Sequence, residues 1–209
     1  MQMAAALTLT GITAYFLANS YDFMYFLYEH PGSLWIAMFA QLGVVIWLSA
    51  RVMRMSMGTA TLLFILYSVL NGVTMSMIFQ LYEPMSIAIT FAVTAGMFFV
   101  MSLIGYATRM DLSKFGSIFM MLLVGIIIAT VVNIFFASET LYWVITYAGV
   151  IVFVGLTAFD TNKLKQIYIE HGDADEFGQK LALMGALTLY LDFINLFLFL
   201  LRIFGDRRS

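Results

Sequence analysis

Long apolar stretches separated by short polar connectors run along the whole chain. Each stretch has the length that a helix needs to cross a bilayer core about 30 Å thick, whereas a barrel strand needs only about ten alternating residues. We therefore predict an all-α integral membrane protein with a single transmembrane domain over residues 1–209. Its seven predicted helices are 1–19, 34–50, 57–81, 85–108, 115–136, 141–159 and 181–203.

The composition agrees with this pattern. Of the 209 residues, 63% are hydrophobic and 11% are charged, whereas soluble domains have about 45–50% apolar and about 25% charged residues. The chain has no cysteine, which excludes disulfides, thiolate metal sites and thiol catalysis. The formal net charge of −2 gives no reason to expect a nucleic-acid partner. Because an apolar stretch begins at residue 1, we expect the natural N-terminus to be longer.

Basic residues mark alternate connectors and so predict the orientation of the helices. The connectors around Glu29, Glu83 and Glu139 contain no Lys or Arg. The other connectors contain Arg51, Arg54, Arg109, Lys114, Lys163, Lys165 and Lys180. By the positive-inside rule, these basic connectors and the N-terminus are cytoplasmic. Residues 166–180 are predicted to form a long polar surface loop.

The C-terminal tail does not fit this orientation. If the last helix crosses the membrane fully, Arg207 and Arg208 lie outside. Either the orientation of the earlier helices decides the side of the tail, or the last segment is re-entrant. We favour a full crossing.

A carboxylate interrupts the last apolar stretch. Asp192 lies near the middle of this predicted helix, where a charged side chain costs at least about 2.5 kcal/mol. Gly185, Thr188, Asp192 and Asn195 are spaced by three, four and three residues and therefore share one helix face. Such a face is expected to look into the bundle rather than into lipid. We therefore predict that the C-terminal helix is central, with Thr188 and Asn195 supporting Asp192.

A second acid, Asp160, ends the sixth apolar stretch on its cytoplasmic side. In one interpretation it is a boundary acid in water beside Lys163. In the other it pairs with Asp192, and because two carboxylates in a dry site cannot both ionise cheaply, the two share a proton. Such a pair is a candidate pH sensor and gate between two helices. Arg51 or Arg54, at the cytoplasmic end of the second helix, is a candidate partner of the pair.

Several segments resemble one known family. GVIVFVGLTAFDTNKLK and GALTLYLDFINLFLFLLRIFG, which contain the two acids, resemble the signature of the Bax inhibitor-1 family, the transmembrane Bax-inhibitor-motif proteins. FILYSVLNGVTMSMIF and AVTAGMFFVMSLIGYATRMDLSKFG resemble the corresponding parts of bacterial members. The similarity extends over nearly the whole chain and is strongest to the bacterial inner-membrane branch.

The resemblance implies seven helices with the last one central, and a location in the bacterial inner membrane. It also implies that Asp160 and Asp192 form a hydrogen-bonded di-aspartyl pH sensor at the cytoplasmic side of a pore, joined by an arginine of the second helix. Family members are associated with a pH-sensitive leak of calcium ions, and this association favours flux that responds to acid. In eukaryotes they are associated with protection from cell death. Other bacterial members are linked to a membrane protease or to small-anion export.

We therefore predict a pH-sensitive calcium leak channel or transporter gated by the aspartate pair. Its expected partners are the lipid bilayer, calcium ions and protons. It is expected to need no cofactor and no resident metal, with Ca²⁺ only transient near Asp160 and Asp192. The alternatives are a regulatory membrane protein that binds a protease or a stress or cell-death partner, and a small-anion exporter. An enzyme is not expected, because YLDFIN and AFDTNK lack the G-x-G-D pattern of intramembrane aspartyl proteases.

Overall fold

The structure is a computed structural model that describes residues 1–108, 110, 112–172 and 175–208. The described chain is helical apart from its connectors and one isolated bridge between Tyr82 and Arg207, which confirms the predicted all-α class. A short 3₁₀ helix covers Val52–Arg54. The α-helices are α1 (Gln2–Ala18), α2 (Tyr21–Glu29), α3 (Gly32–Arg51), α4 (Met57–Met75), α5 (Ile78–Leu81), α6 (Pro84–Ala107), α7 (Ser113–Phe136), α8 (Glu139–His171) and α9 (Glu176–Phe204).

Six helical segments of the described chain are long and apolar enough to span a membrane. They contain α3, α4 with α5, α6, α7, α8 and α9. The apolar helix α1 has 17 residues, so the count of seven spans stays a prediction. In α9, 61% of the most apolar window is buried, against 6–44% in the other five. This burial agrees with the prediction that the last helix contacts protein rather than lipid.

The prediction of a long polar loop over residues 166–180 was wrong, because most of this segment is helical. Helix α8 continues to His171 instead of ending at 159, and α9 begins at Glu176 instead of 181. The hydropathy pattern reports where the chain leaves the membrane, whereas a helix needs only its own backbone hydrogen bonds and continues into water. The predicted connector 20–33 likewise contains α2, whose first turn is capped by the Ser20 hydroxyl accepting from the Phe23 N–H at 3.4 Å.

The described chain forms two compact units. The first contains Met1–Pro84, His171–Tyr190 and Asp206–Ser209, and the second contains Met85–Glu170 and Leu191–Gly205. In the first unit, α1 packs closely on α4 at Gly72. A Cβ there would lie 2.6 Å from the Cβ of Thr13 and 2.8 Å from the carbonyl oxygen of Thr10, so only glycine permits this approach of the two helices.

A buried polar network joins α9 to α1 and α4 inside the first unit. The Tyr190 hydroxyl lies 2.7 Å from Thr10 Oγ1 and accepts from Asn71 Nδ2 at 3.0 Å. Thr10 Oγ1 donates its single proton to the carbonyl oxygens of Ala6 and Ser68, at 3.0 and 2.9 Å. Tyr190 must therefore donate to Thr10, and every member of the network has a partner. Asn71 thus makes an interhelical hydrogen bond within a span.

The chain end contacts the connector that follows α5, again within the first unit. The Glu83 N–H donates to the Asp206 carbonyl at 2.9 Å, and the Arg208 N–H donates to the Leu81 carbonyl at 3.0 Å. Arg208 Nε also lies 3.7 Å from Glu83 Oε1. At the other end of α9, the Glu176 carboxylate interacts electrostatically with the backbone N–H of Met57 at the start of α4. The last helix thus runs from the start of α4 to the Glu83 connector, which supports a full crossing.

This topology predicts the side of the tail. Because the chain has no cysteine, single cysteines at Gly32, Ser56 and Asp206 are its only thiols. We expect an impermeant thiol reagent to label Ser56→Cys only from the cytoplasm, and Gly32→Cys and Asp206→Cys only from the opposite side. Labelling of positions 206 and 56 from the same side would show that the last helix is re-entrant.

The Tyr190 network predicts a selective effect of one hydroxyl. Tyr190→Phe removes a partner from both Asn71 and Thr10, so it should lower the free energy of unfolding by about 0.6–1.7 kcal/mol, the range of interhelical hydrogen bonds in membranes. Tyr67→Phe is the matched control, because the buried Tyr67 ring packs edge-on against Tyr190 and its hydroxyl bonds to no described residue. Equal unfolding free energies of the two variants in detergent would contradict the role of the network.

Candidate functional site

The second unit is built around a seam between α8 and the second half of α9. Side chains of α8 and α9, together with Ile126 of α7, form one buried apolar cluster. The α8 and α9 members are Ile145, Val152, Phe153, Leu156, Leu196, Phe199 and Leu200. The rings of Phe153 and Phe199 stack with centroids 5.8 Å apart. A Cβ at Gly149 would lie 2.6 Å from the Phe199 ring, so a glycine lets α8 approach this ring closely. The seam holds the two helices that contain the acids.

The structure brings Asp160 and Asp192 together within the second unit. Asp160 is 9% exposed and Asp192 is 4% exposed. Their carboxyl groups lie within side-chain hydrogen-bonding range of each other. Asp192 Oδ2 is buried and accepts no bond from an N–H or O–H donor of the described residues. Among the described residues, a protonated carboxyl group of Asp160 is the candidate donor to Asp192.

The carboxyl groups of Asp160 and Asp192 can attract each other only if at least one of them is protonated. Two ionised carboxylates have no hydrogen to place between them, and in a medium of low dielectric they repel. With one proton, the pair has one negative charge and a charge-assisted hydrogen bond, which is the stronger class of hydrogen bond. The pair then behaves as one titrating unit rather than as two separate acids.

Asp160 also interacts electrostatically with Lys163, whose side chain is exposed. Asp160 thus interacts with both Lys163 and Asp192, and the choice between a boundary acid and a proton-sharing pair stays a prediction. Thr157, one turn earlier, is fully buried. It donates to the Phe153 carbonyl at 2.7 Å and so satisfies its hydroxyl within α8.

A clamp on the end of α6 fixes α8 beside Asp160. Asn162 Nδ2 donates to the Gly105 carbonyl at 3.0 Å, and Lys165 Nζ donates to the Tyr106 carbonyl at 2.8 Å. These carbonyls belong to the last turn of α6, where they have no partner within their own helix. At Gly105, a Cβ would overlap the carbonyl oxygen of Ala158. This clamp was not predicted from the sequence, although the segment NKLK, which begins two residues after Asp160, contains both donors.

The hydrogen bonds of the predicted supporting residues, Thr188 and Asn195, lie within α9. Thr188 Oγ1 donates to the Met184 carbonyl at 3.1 Å, and Asn195 Nδ2 donates to the Leu191 carbonyl at 2.8 Å. Both bonds lie within α9, and a supporting role of the two residues stays a prediction. Burial along α9 also extends beyond the polar face, since Leu196 is 0% exposed.

The cationic residues named from the sequence lie in several places. Arg51 ends α3 and Arg54 ends the 3₁₀ helix. Both are exposed members of the first unit, and their pairing with the acids stays a prediction. Arg109 lies outside the described residues, as does the side chain of Lys114.

The site offers little to a resident metal ion. Among the described residues, no three His, Cys, Asp or Glu side chains come together. Two carboxyl groups supply at most four oxygen atoms, whereas Ca²⁺ takes about 6–8 oxygen ligands. A calcium ion at Asp160 and Asp192 would therefore need at least about two to four further oxygen ligands from water or the backbone.

The comparison with known proteins decides the family. The family model described as "Inhibitor of apoptosis-promoting Bax1" matches residues 1–209. The chain belongs to the Bax inhibitor-1 family. It is 52% identical to the inner membrane protein YbhL of Escherichia coli K12, an alignment that covers 99% of this chain and 88% of the relative. The Bax inhibitor-1 resemblance predicted from the motifs around Asp160 and Asp192 is thus confirmed.

More distant relatives extend the same comparison. An uncharacterized protein of Rickettsia prowazekii is 45% identical over 99% of this chain and 87% of its own length. An uncharacterized membrane protein of Streptococcus pyogenes serotype M1 is 36% identical over 78% of this chain and 70% of its own length. Together with the six apolar helices of the described chain, the E. coli relative confirms the predicted location of this Bax inhibitor-1 protein, the bacterial inner membrane.

The clamp on α6 predicts a strong effect of one methyl group. Gly105→Ala should lower the free energy of unfolding by about 1–3 kcal/mol, because the new methyl overlaps the α8 backbone at Ala158. Gly96→Ala, in the same helix, has no atom within 4 Å of its new Cβ and should leave stability unchanged. Unfolding in detergent measures both variants. An unchanged Gly105→Ala protein would contradict the close approach of α6 and α8.

Proposed function

We propose that this Bax inhibitor-1 protein is a non-enzymatic, pH-sensitive calcium leak of the inner membrane, gated by a proton shared between Asp160 and Asp192. The observation that supports the proposal is the burial of two carboxyl groups within hydrogen-bonding range of each other, one with an oxygen that no other described donor reaches. The role given to the pair by the family resemblance points the same way.

In this proposal the shared proton is a latch between α8 and α9. With one proton, a charge-assisted hydrogen bond holds the two helices together at the acids. Loss of that proton leaves two like charges in an apolar surrounding, and they repel. Gain of a second proton removes the charge and weakens the bond. Each change favours separation of the helices at this point, and the direction of the pH response reports which proton step opens the latch.

Calcium is the proposed ion because hard cations prefer oxygen ligands. When α8 and α9 separate, the carboxyl groups of Asp160 and Asp192 become accessible to a hydrated cation. Their small number favours brief contact over tight binding. The proposed activity is therefore a slow passive leak down a gradient, without a bound cofactor.

Calcium flux into proteoliposomes tests the proposal. For the wild type, the flux should change with pH near neutrality. Asp160→Asn and Asp192→Asn should each flatten the pH–flux curve, because an amide keeps the shape of the side chain but cannot share the proton. The double variant should add little to either single change, since residues that act as one unit are not additive.

A matched control and two contrary outcomes complete the experiment. Asp22→Asn removes an exposed carboxylate in α2 and should leave the pH response unchanged. If Asp160→Asn keeps the response while Asp192→Asn abolishes it, the proton is not shared and Asp160 is only a boundary acid. Absence of calcium flux from the wild-type protein at every pH would overturn the leak and favour a regulatory membrane protein.

A further inference from the structure

Arg202 has an unusual environment in the last turn of α9. Its guanidinium carbon lies 5.0 Å from the centroid of the Phe199 ring and 5.4 Å from that of Tyr142. The side chain is half-buried. Phe199 belongs to the same helix and Tyr142 to the first turns of α8, so rings from two packed helices hold the cation in place. Cation–π contacts of this kind stabilise the guanidinium against the ring faces.

No carboxylate of the described residues forms an ion pair with Arg202. The acid closest along α8 is Glu139, which is exposed and, like the rest of the described carboxylates, forms no ion pair with it. Aromatic faces attract the positive charge but leave the in-plane N–H groups of a guanidinium without acceptors. The carbonyl groups at the C-terminal end of α9 favour a cation here. They do not supply an anionic group with two oxygen atoms, which is the ligand that the planar N–H donors of the Arg202 guanidinium fit.

The neighbouring aromatic residues indicate the depth of Arg202 in the membrane. Tyr142 contacts Trp143 edge-on with centroids 5.7 Å apart, and Trp143 stacks on Tyr147 at 5.8 Å. Tyr and Trp concentrate where the hydrocarbon meets the headgroups. A guanidinium against Tyr142, at the end of a spanning helix, therefore lies at the level of the lipid phosphates. The full crossing predicted for α9 places the Arg202 guanidinium on the side of the membrane opposite the basic connectors.

A second arginine beyond the end of α9 provides a contrast. Arg208 forms an ion pair with Glu83 and is 41% exposed. Its charge is therefore already matched by a carboxylate of the protein, whereas no carboxylate of the described residues matches the charge of Arg202, which lies against ring faces. An external oxyanion would complete the environment of Arg202 but not that of Arg208.

We propose that Arg202, held between the Tyr142 and Phe199 rings, binds a phosphate group. The proposed site lies at the surface of the inner membrane on the side opposite the basic connectors. The planar fork of a guanidinium fits two phosphate oxygens, and such charge-assisted bonds are among the strongest in proteins. At this depth the phosphate is that of an anionic phospholipid, although free phosphate has the same chemistry. The inference is independent of the proton shared by the acids.

Native mass spectrometry of the full chain in detergent tests the site, with phosphatidylglycerol and inorganic phosphate titrated separately. The wild type should bind one phosphatidylglycerol that Arg202→Gln binds at least about tenfold more weakly, since a bidentate charge-assisted contact is worth about 1.5–3 kcal/mol. Arg202→Lys should give intermediate affinity, because an ammonium keeps the charge but loses the fork. Arg208→Gln removes the same charge near the same end of the chain and should bind like the wild type.

The two titrations separate the sources of the phosphate. Binding of phosphatidylglycerol that depends on Arg202 supports a lipid site, and binding of inorganic phosphate that depends on Arg202 supports a site for the free anion. Either result agrees with the proposal. Equal affinities of the wild type and Arg202→Gln for both ligands would overturn it. A cooperative melting transition of each variant in lipid-free detergent shows that the variants compared are folded.

Discussion

The cost of placing carboxyl groups in an apolar interior is the constraint on which this site depends. Asp192 is almost wholly buried, and one of its oxygens has no described N–H or O–H donor. A lone carboxylate in that position would be strongly unfavourable. The nearby carboxyl group of Asp160 relieves this cost if the two hold one proton between them. Burial makes two charged carboxylates costly. For the same reason, the number of protons held by the pair is expected to depend on pH.

The surrounding structure sets the distance between the acids. The apolar seam of α8 and α9 fixes the helices on one side of the pair, with Leu196 fully buried in it. The clamp formed by Asn162 and Lys165 on the end of α6 fixes α8 on the other side. Because these contacts are close-packed or charged, a change of the pair is expected to move whole helices rather than single side chains.

Much of this organisation could be predicted from the sequence. The spans were visible because a bilayer requires long apolar stretches, and Asp192 stood out because a charge there needs a reason. The partner of Asp160 could not be decided, since separation along the chain does not report distance in space. The extension of α8 to His171 was missed because hydropathy follows the membrane and not the helix. Tyr190 and Arg202 were missed because Tyr and Arg near a span are usually interfacial, and only the fold shows what each contacts.

Infrared spectroscopy of the protein in lipid, with isotope-labelled aspartate, tests the shared proton most directly. The carbonyl stretch of a protonated carboxyl group is separate from the stretches of a carboxylate. We expect one protonated aspartate per chain at neutral pH. Its carbonyl band should disappear in Asp160→Asn, because the amide of Asn donates to an ionised Asp192 instead. A wild-type spectrum in which every aspartate is ionised at neutral pH would contradict the shared proton.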